Sequence, residues 1–139
     1  MTGIFFVKRE KLSSRAAAKK TTSDLLSQNI NVLVYAEGTT GTERGTIPFK
    51  KGTFSVAVEQ GIPVVPVAIE YPEEKDLWLF GNLGTQLKRQ IGAWRTRAKL
   101  RIGPPIHGTD SLQLLEATKE WIDHNLFEMQ DNWSEVFKS

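Results

Sequence analysis

Residues 31–69 constrain the chain most. Asn31-Val-Leu-Val-Tyr-Ala36 is a short apolar run rich in strand-forming residues, and it stops abruptly at Glu37-Gly38-Thr39-Thr40. A polar, basic, glycine-rich stretch follows to Gly52, and Thr53–Gln60 leads through Gly61 into a second apolar run, Ile62-Pro-Val-Val-Pro-Val-Ala-Ile69. The pattern predicts strand, loop, helix and strand, with two buried strands bracketing the loop. The helix is expected to start near Gly52 or Thr53 and to end at Gly61. Loops held at strand ends by a rigid sheet are where α/β proteins place substrates.

Elsewhere the reading extends the same alternation. Ile4-Phe-Phe-Val7 predicts a buried strand starting unusually early, which points to a true domain start upstream. Residues 13–28 predict a helix capped by Ser13 or Ser14. Leu83, Leu87, Ile91 and Trp94 recur at helical spacing and predict a helix over about 84–93. Arg97-Ala-Lys-Leu-Arg-Ile102 alternates basic and apolar residues, the period-2 pattern of a strand with one solvated face. Asp110 or Ser111 caps a last helix with Leu112, Leu115, Trp121, Ile122 and Leu126 as its apolar stripe. Alternating strands and helices argue for an α/β fold with an open, mostly parallel sheet flanked by helices. A length of 139 residues suits one domain.

Charge and composition narrow the function. Between Lys8 and Lys51 nine basic residues stand against four acidic ones, whereas the net charge of the whole chain is only +2. An anionic partner for the N-terminal half fits this distribution, and a dedicated nucleic-acid binder does not. With no cysteine, disulfides, thiol nucleophiles and Cys-based zinc sites are excluded. No run approaches the ~18–20 apolar residues of a membrane span. A cytoplasmic location is expected, with peripheral contact at the cytoplasmic membrane face left open.

The chemistry-bearing residues gather in the loop. Gly38, Gly41, Gly45 and Gly52 match neither the P-loop nor the dinucleotide fingerprint. What remains is a loop whose backbone amides, hydroxyls, Lys50 and Lys51 suit an anion, or else a solvated surface loop. Arg9 and Glu37 each fall just past a predicted strand, so parallel pairing of those strands would bring both to one sheet edge. Arg9 offers a planar fork of donors for a phosphate, and Glu37 can orient that Arg or accept from a substrate hydroxyl. The two histidines, His107 and His124, have no partner at a signature spacing and read as surface or capping residues.

At these residues the chain resembles the glycerol-phosphate and lysophosphatidic acid acyltransferases of the PlsC type. Gly3-Ile-Phe-Phe-Val-Lys-Arg9 is similar to that family's second block, Tyr35-Ala-Glu-Gly-Thr39 to its third, Pro48-Phe-Lys-Lys-Gly-Thr-Phe54 to the segment that follows, and Val64-Val-Pro-Val-Ala-Ile69 to its fourth. Gly103-Pro-Pro-Ile106 resembles the Gly-x-Pro-Ile ending of a late strand. The resemblance implies transfer of an acyl group from acyl-CoA or acyl carrier protein, as co-substrate with no further cofactor, to a glycerol-phosphate or lysophospholipid hydroxyl. It implies acceptor binding by Arg9, Glu37, Gly38 and Thr39, and Pro66 falls in a block linked with donor binding or packing.

Two departures bear on activity. Thr40 stands where the family usually carries Arg, a gap that Arg44, Lys50 or Lys51 can fill. The family's first block, His-x-x-x-x-Asp, holds the general base and the residue that orients it. Five residues beyond His107 stands Leu112, and five beyond His124 stands Met129. The expectation is therefore a partial acyltransferase domain, truncated at its N-terminus and inactive alone. The alternative is a non-catalytic module that binds phospholipid or a partner chain through the same loop.

Overall fold

A computed structural model of the protein describes residues 12–39, 45–71 and 97–131. Among them the element order is α1 (Leu12–Ser27), α2 (Lys51–Glu59), β1 (Val67–Glu70), β2 (Lys99–Ile102) and α3 (Ser111–Asp131). The expected strand at 4–7 and helix at 84–93, together with Arg9, Thr40 and Arg44, lie outside the described residues.

Local signals explain where the helices stop. Gly61 at φ +64° closes α2: its N–H donates to Val58 O at 3.1 Å and that of Ile62 to Ala57 O at 2.9 Å. Asn29 at φ +58° does the same for α1, with Asn29 N–H on Leu26 O and Ile30 N–H on Leu25 O, both at 3.0 Å. In each case a left-handed residue satisfies carbonyls that the helix leaves without partners. At the start of α3, the Asp110 carboxylate accepts from Leu112 N–H at 2.8 Å and Gln113 N–H at 2.9 Å, the cap that the sequence predicts. Those bonds hold the Asp110 carboxyl below its ordinary pKa. The cap expected for α1 is different, because the chain is already helical at Leu12 and Ser13 and Ser14 lie inside the helix.

Two clusters form the core. Phe54, Ala57 and Leu114 join α2 to α3, with Ala36, Phe49, Val64 and Ile106 packed around them. Ala68, Leu126 and Met129 join β1 to α3, with Trp121 and Ile122 alongside. The buried residues of α3 are Leu114, Thr118, Asn125, Leu126 and Met129; of the predicted stripe Leu126 is among them, Leu115, Trp121 and Ile122 pack against the clusters part-buried, and Leu112 is 49% exposed. Thr118 and Asn125 sit inside because each bonds back to its own helix, Thr118 Oγ1 to Leu114 O at 2.6 Å and Asn125 Nδ2 to Trp121 O at 2.7 Å. A polar side chain so satisfied can be buried at little cost, and hydrophobic spacing does not detect it.

The sheet departs from expectation in two ways. Its described strands are antiparallel, with Val67 opposite Ile102 and Glu70 opposite Lys99, and an isolated antiparallel bridge joins Val64 to Ile106. The run 31–35 joins no ladder among the described residues, and Leu33 and Tyr35 are 78% and 74% exposed. A central parallel strand needs a partner on each side, and the neighbour expected for this one, 4–7, lies outside the described residues. In β2 the sequence alternates but burial does not: Lys99 is buried, whereas Leu100, Arg101 and Ile102 are exposed. The basic face meets α3, where Lys99 Nζ donates to Met129 O at 3.2 Å and Arg101 Nη1 to Asn125 Oδ1 at 2.7 Å. Lys99 thus buries its stem and places its charged end on a polar atom of the helix, whereas Arg101 stays exposed and also pairs with Glu128.

The Gly103-Pro-Pro-Ile106 stretch has a steric origin. Gly103 N–H donates to Pro66 O at 2.9 Å, and a Cβ at Gly103 would stand 2.7 Å from Pro66 Cγ and 2.7 Å from two ring atoms of Trp121. Only a residue without a side chain fits between that proline and that indole. Gly103→Ala is therefore expected to destabilise the protein by about 1–3 kcal/mol through overpacking. Urea unfolding checks this through a lowered midpoint; an unchanged midpoint would mean that Trp121 moves aside freely.

Candidate functional site

The predicted loop residues are brought together by backbone geometry. Ala36 packs on the first core cluster and fixes the end of the 31–36 run. The chain then turns, with Gly38 N–H donating to Tyr35 O at 3.0 Å and Gly38 at φ +64°. That conformation favours glycine. The Lys50 stem lies alongside, with Cγ 3.4 Å from where a Cβ would stand, an ordinary contact distance. Lys50 N–H donates to Ala36 O at 2.8 Å, so the returning end of the loop is tied beside the Glu37-Gly38-Thr39 turn.

Lys50 is also the residue from which α2 springs. Its backbone is extended, φ −88° and ψ 124°, and no side chain caps the helix. No acidic residue occupies the first turn, where Lys51 stands instead. Two lysines at an uncapped helix start oppose the helix dipole, whose positive end favours anions. Local conflicts of this kind concentrate at functional sites. Four predicted residues, Glu37, Gly38, Thr39 and Lys50, thus meet at the turn. Lys51 is directed differently, close enough to Asp110 at the start of α3 for its charge to help hold that carboxyl ionised. Arg9 lies outside the described residues.

Glu37 is half-buried, and burial pushes its carboxyl above the ordinary glutamate value. The Ile47 backbone N–H donates to it and opposes that rise, Asp123 adds to it, and Lys119 opposes it. Asp123 behaves oppositely. Burial works upward on it, but hydrogen bonds from Lys119 and Thr46 and the Lys119 charge outweigh that, so it is held below its ordinary value. Lys119 donates to Thr46 Oγ1 at 2.7 Å and pairs with Asp123, to which the Thr46 hydroxyl also donates.

Thr46, Lys119 and Asp123 have no counterpart in the sequence reading. The four-residue spacing of Lys119 and Asp123 signals an ion pair on a helix. Nothing in it signals a partner 73 residues earlier in the chain. The histidines are where the sequence puts them: His107 is exposed, and His124 is exposed with Nε2 3.3 Å from Glu128 Oε1. No helix among the described residues is long and apolar enough to cross a membrane.

Comparison with known proteins places the chain in a family. Residues 1–70 match the family model described as Acyltransferase. The chain is 30% identical over 95 residues to human 1-acyl-sn-glycerol-3-phosphate acyltransferase beta, covering 64% of this chain and 34% of that protein. It is 34% identical over 79 residues to 1-acyl-sn-glycerol-3-phosphate acyltransferase from Haemophilus influenzae, covering 54% of this chain and 32% of that protein. The chain therefore spans about a third of the length of these curated relatives. Among solved structures it matches the 1-acyl-sn-glycerophosphate acyltransferase PlsC from Thermotoga maritima with a TM-score of 0.62 and 24% identity, over 85% of this chain and 46% of that one. The α/β arrangement of these helices and strands is thus that of an acyltransferase fold, and with half of its length inside the family model the chain belongs to the acyltransferase family, of the PlsC type.

Proposed function

We propose that these 139 residues carry the acceptor side of a phospholipid acyltransferase site within one domain. The acyl group would pass from acyl-CoA or acyl carrier protein to a hydroxyl of a glycerol phosphate or lysophospholipid, at the cytoplasmic face of a membrane that the protein meets peripherally. The observation that carries this reading is the Glu37-Gly38-Thr39 turn held against Lys50 at the uncapped start of α2. Free amides at a helix start together with a lysine favour a phosphate, and a carboxylate one residue before the glycine can accept from a neighbouring hydroxyl of the same substrate. Arg9, Thr39 and Lys51 complete the proposed acceptor set.

In the transfer, the acceptor oxygen attacks the thioester carbonyl, its proton passes to a base, and the thiolate departs. The sequence holds no His-x-x-x-x-Asp pair to serve as that base. General-base catalysis contributes typically ~10²–10⁴-fold, so the 139-residue chain is expected to bind the acceptor without appreciable turnover. Calorimetry of the purified chain with a short-chain lysophosphatidate, beside an assay with labelled acyl-CoA, tests both halves. Saturable binding with negligible transfer supports the reading. No binding refutes the acceptor site, and transfer at a rate typical of the family refutes the missing base.

A further inference from the structure

We propose that Lys119 and Asp123 of α3, acting through Thr46, are positioning residues that hold Glu37 in place for the acceptor. This inference rests on the acceptor reading of Glu37 and adds a helix that lies outside every motif of the loop.

The geometry forms a continuous chain of contacts. Lys119 Nζ donates to Thr46 Oγ1 at 2.7 Å, the Thr46 hydroxyl donates to Asp123 Oδ1, and Asp123 pairs with Lys119. The three groups close on one another and fix the Thr46 hydroxyl, which donates to Asp123 and accepts from Lys119. Lys119 Nζ also sits 5.8 Å from the centre of the Phe49 ring, which packs on the core cluster shared by α2 and α3. Its ammonium is thereby held from a second side. Thr46 is bonded in the chain to Ile47, whose N–H donates to the Glu37 carboxylate. Fixing Thr46 from α3 therefore fixes the donor that orients Glu37, and partial burial makes these contacts stronger than exposed ones.

The same two side chains act on Glu37 through space. From α3 it faces the charges of Lys119 and Asp123; from its own loop it faces the Ile47 N–H, with the Lys50 stem lying over the adjoining Gly38. Lys119 and Asp123 act on Glu37 with opposite sign, Asp123 raising its carboxyl and Lys119 lowering it. Removing either one exposes Glu37 to the other, and the two removals act with opposite sign.

The test uses the 139-residue chain with glutamate carboxyl carbons labelled, so that NMR follows the titration of Glu37 directly, together with calorimetric binding of glycerol 3-phosphate. Lys119→Met is expected to move the Glu37 midpoint upward and Asp123→Asn to move it downward. Thr46→Val, which changes no charge, is expected to weaken binding about 2- to 10-fold, with Thr46→Ser restoring it. A role confined to stability would not produce opposite shifts or rescue by serine. Should Lys119→Met fail to fold, the near-isosteric Asp123→Asn and Thr46→Val carry the decision. Binding by the parent chain that is unchanged in Thr46→Val, or a Glu37 midpoint that Asp123→Asn leaves in place, overturns this inference alone. Absence of binding by the parent chain overturns the acceptor reading and this inference with it.

Discussion

Glu37→Gln is expected to weaken binding of a lysophosphatidate about 10- to 100-fold and, at neutral pH, to raise the melting temperature of the protein. The loss follows from replacing an ionised acceptor by an amide. A hydrogen bond to a charged group contributes about 1.5–3 kcal/mol, and each ~1.4 kcal/mol is tenfold in affinity. Glutamine keeps an oxygen for the Ile47 N–H but presents a donor where the carboxylate accepts on both sides. In a chain that also carries a catalytic base, the loss should fall on use of the acceptor and spare use of the acyl donor. Equal losses for both would make Glu37 a structural residue.

The gain in stability has the opposite cause. Burial raises the Glu37 carboxyl above its ordinary value of 4.5, so the folded state prefers the protonated form. That preference stabilises the fold fully below pH 4.5 and is lost as the pH rises through the folded value. At neutral pH the native chain carries a partly buried charge that glutamine lacks. The advantage of Glu37→Gln should shrink as the pH is lowered through the folded value toward 4.5, and melting curves across that range check it. Groups kept for a ligand at the expense of stability behave in this way.

Leu114→Ala is the second large effect, expected to cost about 2–5 kcal/mol out of a total that for a domain of this kind is about 5–15 kcal/mol. Leu114 is 2% exposed and joins α3 to Phe54 and Ala57 of α2. Its loss leaves a cavity in the cluster that also holds Ala36 and Phe49, the residues flanking the candidate site on either side. A lowered urea midpoint with an unchanged slope is expected, together with weaker acceptor binding at temperatures where the native variant is still populated. Leu112→Ala, on the same helix but half exposed, is expected to change stability by less than about 0.5 kcal/mol. Similar losses for the two leucines would contradict the observed burial.

Neighbouring sequence carried most of what was legible. The Gly61 stop of α2 and the Asp110 cap of α3 follow from short-range rules, because a capping side chain or a left-handed residue acts on carbonyls and amides within one turn. The Glu37-Gly38-Thr39 turn and Lys50 were legible for the same reason: the glycine answers a local backbone need, and its motif lies within fifteen residues of the lysine. The interior of α3 was less legible. Leu115, Trp121, Ile122 and Leu126 lie in or against the core as their spacing predicts, but Thr118 and Asn125 are buried beside them by hydrogen bonds that hydropathy does not record, and Leu112 is half exposed.

What the chain alone determined was thus the helices, the turn and the membership of a family whose blocks are contiguous in sequence. Tertiary structure decided the rest. Period-two alternation in β2 cannot say which of its two faces is covered; that depends on α3 offering Met129 O and Asn125 to Lys99 and Arg101. It also cannot say that β1 and β2 run antiparallel, since pairing direction depends on how the intervening chain returns. The link from Lys119 and Asp123 to Thr46 spans more than seventy residues and exists only because α3 packs over the loop. Contacts of that length have no local signature, and they bring the charges of Asp123 and Lys119 to a Glu37 carboxyl that burial already raises.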